Sequence, residues 1–540
     1  MGNLSRRAFI RTVAGSMGLI VSGCAKSVAS GPRIPQRDWP NIIVVLADDQ
    51  RADYLGCAGH PVIRTPHVDR LAADGVRFVN AFATSAACTP NRTCILTGQY
   101  ERRHGVTFGS QSSLTLEAFA ATYPMLLRQA GYHVGYVGKN HTPVGVSEKG
   151  FGYASEVMEK QFDYWYGNHG HSTFYPKKRH PIYRNARAET QVEILQEGAM
   201  NFLKHNPEFA GARDFLRTKP QNKPFCLLVN FNVPHGAGTG SMQLRPTDPK
   251  LYRTAYRNRI DQMPQPETYV AEANIRTPKI PPHVYNGKYI SQYDYVKAPE
   301  TLRERQVRTC QTIAGIDQLI SALTEELADQ GLAENTIFVY TSDHGLLHGE
   351  HGLGGKVLLY EESIRVPLII YDPRLPDSQR GKIVQELALS IDIAPTILDL
   401  VGLPAPDCMQ GRSLRPLLEG KDVAWRGDFF CENMFMGQNY PRIEGVRGRE
   451  WKYLRYFDKK NDQHHLLSLT ASIRGEEPVY EELYHLRDDP LETTNLAGSV
   501  EHLQRLERLR RRCRELVVAV KGGPDYPRTH VKNDPREKVR

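Results

Sequence analysis

The stretch from Cys88 to Gly98, Cys-Thr-Pro-Asn-Arg-Thr-Cys-Ile-Leu-Thr-Gly, brings together a thiol, a proline and an arginine. Pro90 suits the first position of a helix, where its missing N–H costs nothing. A helix starting there aims free backbone N–H groups and a partial positive charge at an anion. Arg92 adds a fixed planar cation. A nucleophile precursor, a helix N-terminus and a guanidinium then share one small space. A second group of interest is Asp48-Asp49, which ends the apolar run Asn41 to Ala47. Two adjacent carboxylates at the carboxyl end of a buried strand are costly unless a cation or water satisfies them. Their chemistry is that of a hard-metal site with oxygen ligands, or of a solvated loop.

Four elements must position these groups. Asn41–Ala47, Tyr132–Val137, Phe225–Phe231 and Thr336–Tyr340 are continuous apolar, β-branched or aromatic runs, as expected of strands buried on both faces. Asp48, Lys139, His235 and Asp343 each closely follow one of them. In parallel α/β sheets sites form at the carboxyl ends of strands, so the four motifs can converge on one crevice. Residues 304–330 carry helical periodicity through Val307, Ile313, Ile316, Leu319, Ile320 and Leu323. Residues 150–222 are rich in Tyr, His, Asn and Arg, and read as a loop-rich insertion of substrate-recognition surface or local packing. The three histidines His169, His171 and His180 lack a regular zinc spacing. Beyond Asp422 the runs shorten and alternate. Gly445–Arg447 with Tyr453–Tyr456 reads as a hairpin, and Leu503–Val517 as an Arg-rich amphipathic helix with a solvated charged face.

Length and composition allow one large α/β domain and a smaller one in 540 residues, with a net charge of +9. A mildly basic surface fits polyanionic substrates; no basic-aromatic interleaving points to nucleic acid. Nine cysteines are scattered without a CxxC pair, and no disulfide is read from them. Ser5-Arg6-Arg7-Ala8-Phe9-Ile10 resembles a twin-arginine export signal, and Val21-Ser22-Gly23-Cys24 resembles a lipobox in which Cys24 is acylated. The intervening apolar run is too short to span a bilayer. These features imply an exported protein, periplasmic or at the outer membrane or cell surface of a bacterium, touching the membrane only through a lipid anchor.

Cys88-x-Pro90-x-Arg92 followed by Leu96-Thr97-Gly98 resembles the signature of the formylglycine-dependent type I sulfatases of the alkaline phosphatase-like superfamily. Arg103-His104-Gly105, Gly138-Lys139-Asn140-His141, Pro234-His235, Thr341-Ser342-Asp343-His344-Gly345, Lys356 and Glu482–Leu486 follow in the family's order, so the resemblance spans residues 40–500. Three departures stand out. Asn91 replaces the usual Ser, Asn140 an aromatic, and the proline expected two residues after His235 is missing. His344 stands where many members have Asn.

The resemblance implies an α/β fold, with a large mixed, mostly parallel sheet flanked by helices and a smaller C-terminal α+β subdomain. It implies that a separate sulfatase-maturating enzyme oxidises Cys88 to formylglycine (3-oxoalanine), and that one calcium ion is held by Asp48, Asp49, Asp343 and His344 beside residue 88. Arg92, Lys139 and Lys356 then stabilise the sulfate oxygens. His235, with Lys356, protonates the leaving alcohol, and His141 serves the second hydroxyl of the nucleophile. The implied activity is removal of O-sulfate from a sulfated carbohydrate. The alternatives are a phosphonate monoester or phosphodiester hydrolase on the same fold, a non-catalytic lipoprotein that binds sulfated glycan, and a metal-dependent phosphatase. The expected organisation is a signal at 1–23, a tether at 24–39, the catalytic domain at 40–421, the C-terminal subdomain at 422–525 and a mobile tail at 526–540.

Overall fold

In the computed structural model, which describes residues 39–108, 112–146, 156–197, 211–286, 293–458, 465–522 and 529–531, the first apolar run becomes strand β1, Asn41–Asp48, buried along its whole length. The export-signal motif, the tether up to residue 38 and Cys24 lie outside the described residues. Seven more strands complete the main sheet. They are β2 (Val76–Phe78), β3 (His133–Asn140), β4 (Tyr164–His169), β5 (Phe225–Pro234), β6 (Thr336–Ser342), β7 (Leu368–Tyr371) and β8 (Lys382–Val384). Their order is β8-β2-β7-β6-β1-β5-β3-β4. The five neighbours β6, β1, β5, β3 and β4 are all parallel, and β7 runs antiparallel to β6 and β2. The sheet is thus mixed and mostly parallel, with five carboxyl ends along one edge.

Alternate residues of β1 enter two cores, as the period of two requires. Ile43, Val45 and Ala47 join Ile313, Ile316 and Leu319 of a long helix. Ile42, Val44 and Leu46 join Ile95 and Leu96 on the other face, with Ile397 and Leu398. Both faces are covered, which is why these strands read as unbroken apolar runs. The helices used below are α1 (Pro66–Asp74), α2 (Cys88–Thr97), α3 (Pro299–Asp329) and α4 (Leu503–Lys521). Helix α3 begins five residues before the periodic stretch read from residue 304, because Pro299 takes the first helical position and Thr301 Oγ1 accepts the Ala298 N–H at 3.3 Å.

Helix α2 begins at Cys88, two residues earlier than Pro90 suggests. Ala87 is extended, and the Asn91 N–H bonds Ala87 O at 3.0 Å. Pro90 falls at the third helical position, where the N–H would still have no intrahelical partner. Gly98 stops the helix at φ 64°, in the left-handed region, and its N–H closes on Cys94 O at 2.8 Å.

The C-terminal part contains a four-stranded antiparallel sheet in chain order: β9 (Asp428–Asn433), β10 (Arg442–Gly448), β11 (Trp451–Phe457) and β12 (Tyr480–His485). Leu506, Cys513 and Val517 of α4 pack into its core. The arginine face of α4 is less free than its sequence suggests, since Arg510 pairs with Glu481 and Arg512 with Asp428. Two expectations are corrected. Phe162–Tyr166 does not lie in a loop-rich insertion, because Tyr164–His169 is the edge strand β4 paired in parallel to β3. Part of the expected mobile tail is structured, since Thr529–Val531 pairs antiparallel with Ser112–Leu114. The eight described cysteines are all free.

One buried histidine titrates with the fold. His60 Nδ1 accepts the N–H groups of Val62 and Ile63 at 3.2 and 3.1 Å, so that nitrogen must stay unprotonated. Burial pulls its pKa down to about 4. Between pH 6.5 and 4 the unfolded chain therefore binds a proton that the native state refuses, and stability falls as pH falls. His60→Asn keeps an acceptor there without titrating. In urea unfolding, the loss of stability between pH 7 and pH 4.5 is expected to be smaller in the variant, by about 2 kcal/mol.

Candidate active site

Asp48 closes β1 and Asp49 follows it with φ 66°, a left-handed conformation that a non-glycine residue seldom adopts. The Asp49 N–H bonds Asp343 Oδ1 at 3.3 Å, which ties the loop after β1 to the loop after β6. One carboxylate oxygen each from Asp48 and Asp343, Cys88 Sγ and a ring nitrogen of His344 lie within 4.8 Å of one another, all buried. His344 Nε2 is 3.2 Å and Asp48 Oδ1 3.6 Å from Cys88 Sγ, here the unmodified thiol. Asp49 stands beside this group, with Oδ1 2.8 Å from Lys356 Nζ and 3.3 Å from His344 Nδ1. Lys356 Nζ also reaches Cys88 Sγ at 2.8 Å. Val357 has φ 82°, an unusual conformation for a β-branched residue, and its N–H on Ala86 O at 2.9 Å anchors the Lys356 segment to the start of α2.

Lys139 lies near the end of β3 and pairs with Asp48 Oδ2. Gly138 precedes it at φ 96°, where a Cβ would sit 2.0 Å from Asn230 O, so only glycine lets β3 and β5 approach here. Arg92, on the first turns of α2, lies beneath the carboxylates. Its Nε donates to Asp343 Oδ2 at 2.7 Å and its Nη2 to Phe231 O at 2.9 Å, with Ala47 O and Lys139 O each at 3.5 Å. A buried guanidinium spends its donors on the nearest fixed acceptors. Here these are the Asp343 carboxylate and three strand ends.

Three carboxylates, Asp48, Asp49 and Asp343, are thus balanced by three cations, Arg92, Lys139 and Lys356. Burial alone would raise the Asp48 pKa, but Lys139, then His235, Arg92 and Lys356, outweigh it and hold this carboxyl well below the usual range. Burial would lower Lys356, but Asp49 and Cys88 outweigh it and keep the ammonium protonated. For His344 burial is likewise overcome, chiefly by Asp343, and the pKa rises to about 9.

A row of imidazoles borders this cluster. His141 follows β3 and meets His171 edge-on at 4.4 Å between ring centres, and His171 stacks on His235 at 5.2 Å and 27°. Burial, reinforced by nearby lysines, keeps all three neutral; His171 falls to about 2. His171 comes from the turn after β4, and two bonds fix that turn. Asn140 O accepts the Gly170 N–H at 2.8 Å, and Asn140 Nδ2 lies 2.9 Å from His169 Nδ1. Asn140 therefore does by polar contact what positions its neighbour turn. Just before His235 the main chain is held by Arg305, whose Nη2 donates to Pro234 O at 3.1 Å.

His235, Lys356 and His171 open into a cavity of about 370 Å³ walled by Phe108, Tyr293, Phe435 and Tyr440. Phe435 and Tyr440 come from the connection between β9 and β10, so the C-terminal part completes the mouth. The structure brings Asp48, Asp49, Cys88, Arg92, Lys139, Asp343, His344 and Lys356 into one cluster, with His141 and His235 beside it. The residues that sequence reasoning missed are His171, which it weighed only as a zinc ligand, and the aromatic wall, which carries no periodic signal.

Residues 40–403 match the family model described as Sulfatase, and residues 349–519 match the model described as N-sulphoglucosamine sulphohydrolase, C-terminal. The chain belongs to the sulfatase family. It is an enzyme fold for hydrolysing sulfate esters, of the alkaline phosphatase-like kind. Among its relatives is an N-acetylglucosamine-6-O-sulfatase of Bacteroides thetaiotaomicron, 26% identical over 96% of this chain and 92% of the relative. An arylsulfatase of Clostridium perfringens is 29% identical over 87% and 93%. A solved structure in complex with D-glucosamine-2-N,6-O-disulfate, its substrate, has a TM-score of 0.62 at 23% identity and covers 93% of this sulfatase and 100% of that chain. The phosphonate monoester hydrolase of Agrobacterium radiobacter has a TM-score of 0.64 at 21% identity, over 89% and 96%.

Proposed function

We propose that this sulfatase works by the formylglycine route with one calcium ion, and removes O-sulfate from a sulfated carbohydrate. The observation that carries the reading is the position of Cys88. Its sulfur sits at the start of α2, 2.8 Å from Lys356 Nζ and 3.2 Å from His344 Nε2, in one buried group with Asp48 and Asp343. Sγ stands in for the oxygen that the modified residue would carry. The donor set fits a hard divalent cation: Asp48, Asp49 and Asp343 supply carboxylate oxygens, and His344 adds one softer nitrogen. The charge balance fits as well. With His344 neutral, as a ligand nitrogen must be, the three carboxylates and the three cations Arg92, Lys139 and Lys356 cancel, so a dication makes the cluster net positive, matching an anionic ester and an ionised nucleophile.

When bound, the cation lowers the pKa of the hydrated aldehyde made from Cys88 and polarises the ester. Lys139 and Lys356 lie on the strand-end carboxylates and turn their remaining N–H donors to the sulfate oxygens. Arg92 keeps Asp343 in place from below. His235 is neutral at rest, and the arriving anion raises its pKa. The protonated Lys356, among the charges acting on it, then lets His235 deliver a proton to the leaving oxygen. His141, held neutral by burial, is the base for the step that releases sulfate.

The carbohydrate assignment is supported by the relatives acting on sulfated amino sugars and by the aromatic wall of the cavity, since sugar faces pack on such rings. The resemblance of residues 5–24 to an export signal and lipobox supports export with Cys24 acylated, and the reading keeps 40–421 as the catalytic part and 422–525 as the C-terminal part. The test is mass spectrometry of the peptide containing Cys88 from protein made with a sulfatase-maturating enzyme, together with kinetics. The expected result is an aldehyde oxygen in place of the thiol, and kcat/KM for sulfated saccharides well above that for phosphonate monoesters and phosphodiesters. A native thiol in fully active protein would sink the proposal, and the reverse preference between esters would assign the chain to phosphonate or phosphodiester hydrolysis.

A further inference from the structure

The cavity beyond His235 is larger than a sulfate group needs. At about 370 Å³ it falls in the range of roughly 300–1,000 Å³ that holds a whole small molecule. Its lining is also unbalanced. Lys356 and Arg179 contribute two cations, and no carboxylate lines it among the described residues. Lys356 is spent at the reacting centre, on Asp49 and Cys88. Arg179 is exposed and has no side-chain hydrogen bond or ion pair among the described residues. An arginine left unpaired in a cavity without carboxylates is a site for an anion from outside.

Two further observations place a built site around it. Ser172 lines the same cavity, is only 4% exposed, and its Oγ has no hydrogen-bond partner. A buried hydroxyl left in that state costs free energy unless a ligand or water engages it. The turn carrying both residues is also held in shape. His180 Nε2 lies 3.1 Å from His171 O, the N–H groups of Arg179 and His180 bond Pro176 O at 3.0 and 2.9 Å, and the Ser172 N–H bonds Asn232 Oδ1 at 3.2 Å. Arg179 therefore springs from a fixed turn whose other end carries His171, the imidazole stacked on His235.

We propose that Arg179 and Ser172 Oγ form a second anion subsite, so that the preferred substrate carries a second negative group, a sulfate or a carboxylate, within one sugar ring's reach of the sulfate that is removed. The inference rests on the sulfatase reading of the reacting centre and deepens it by naming the charge pattern of the substrate. A cation on this wall of the cavity, outside the cluster around Cys88, selects for the doubly charged ligand and contributes nothing to the chemistry at Cys88.

Binding separates the two readings. Calorimetry on the Cys88→Ala enzyme, with and without Arg179→Gln, would use three probes: glucosamine 6-sulfate, glucosamine 2-N,6-O-disulfate, and a disaccharide joining a uronic acid to glucosamine 6-sulfate. The expected result is that Arg179→Gln weakens one or both doubly charged probes by about tenfold and leaves glucosamine 6-sulfate within about twofold. The probe that loses affinity names the second group, N-sulfate or carboxylate. Ser172→Ala is expected to weaken the same probe by a smaller factor. Equal losses for all three probes, or no loss for any, would overturn the subsite. A companion assay of 4-nitrophenyl sulfate hydrolysis by the otherwise wild-type Arg179→Gln enzyme is expected to show unchanged kcat/KM, and a fall there equal to the fall for a doubly charged substrate would overturn it too. Failure of the sulfatase reading would instead appear as no hydrolysis of any sulfate ester by the mature wild-type protein, whatever the binding results.

Discussion

Cys88→Ala is expected to lower kcat for a sulfate ester on the order of 10⁴-fold or more, with the fold intact. The thiol is fully buried at the start of α2, and the polar contacts of its sulfur among the described residues are with Lys356, His344 and Asp48, so alanine removes the nucleophile precursor at the loss of a single sulfur atom. Lys356 keeps its Asp49 partner and His344 its carboxylate neighbours, which argues for an unchanged melting temperature. Cys88→Ser sharpens the test. A serine oxygen could attack the ester, but a serine–sulfate ester lacks the second hydroxyl through which a geminal diol expels sulfate. The serine enzyme is expected to release one equivalent of alcohol and then stall with sulfate bound covalently at residue 88, visible as a mass increase on that peptide. Full multiple-turnover activity in Cys88→Ala would remove residue 88 from the mechanism altogether.

The second large effect is expected at Arg92. Its guanidinium joins α2 to the ends of β1, β3 and β5 and to Asp343, and it is held firmly protonated because Asp343 and Asp48 outweigh the cost of burial. Arg92→Ala leaves Asp343 buried without its closest cation. Breaking a buried pair in this way typically costs about 3–5 kcal/mol, most of it from the charge left behind. Arg92 also belongs to the stretch that resembles the maturation signal, so the stability comparison belongs in the Cys88→Ala background, where no modification occurs. Urea unfolding there is expected to show that loss, and millimolar calcium is expected to recover part of it, because a dication on Asp48 and Asp343 replaces the missing charge. A loss below about 1 kcal/mol would mean that Asp343 finds another cation, and would demote Arg92 to packing.

Much of this site was legible before folding was considered. The β1, β3, β5 and β6 runs are apolar on both faces because both faces of the sheet are covered, so their ends, and the polar residues after them, could be read directly. Each strand continues one to three residues further than its apolar run, as with Lys139 and Asn140 inside β3, because buried strand ends stay hydrogen-bonded even where side chains turn polar. Strand β4 was not legible. Its sequence, Tyr-Trp-Tyr-Gly-Asn-His, has no apolar–polar alternation, and its place at the sheet edge comes from pairing to β3, a non-local event.

The sequence by itself determined the chemistry available to this protein: which strand ends bear carboxylates, lysines and histidines, that a cysteine opens the helix, and that the whole resembles a sulfatase. Residue type and local period are enough for that, since they dictate strand ends and helix starts. Tertiary structure alone decided that Arg92 lies under the carboxylates, that His171 bridges His141 and His235, and that Arg179 and Ser172 share a cavity with Lys356. Those relations depend on strand order and on turns locked by single hydrogen bonds between distant segments, and such contacts leave no period in the chain that makes them.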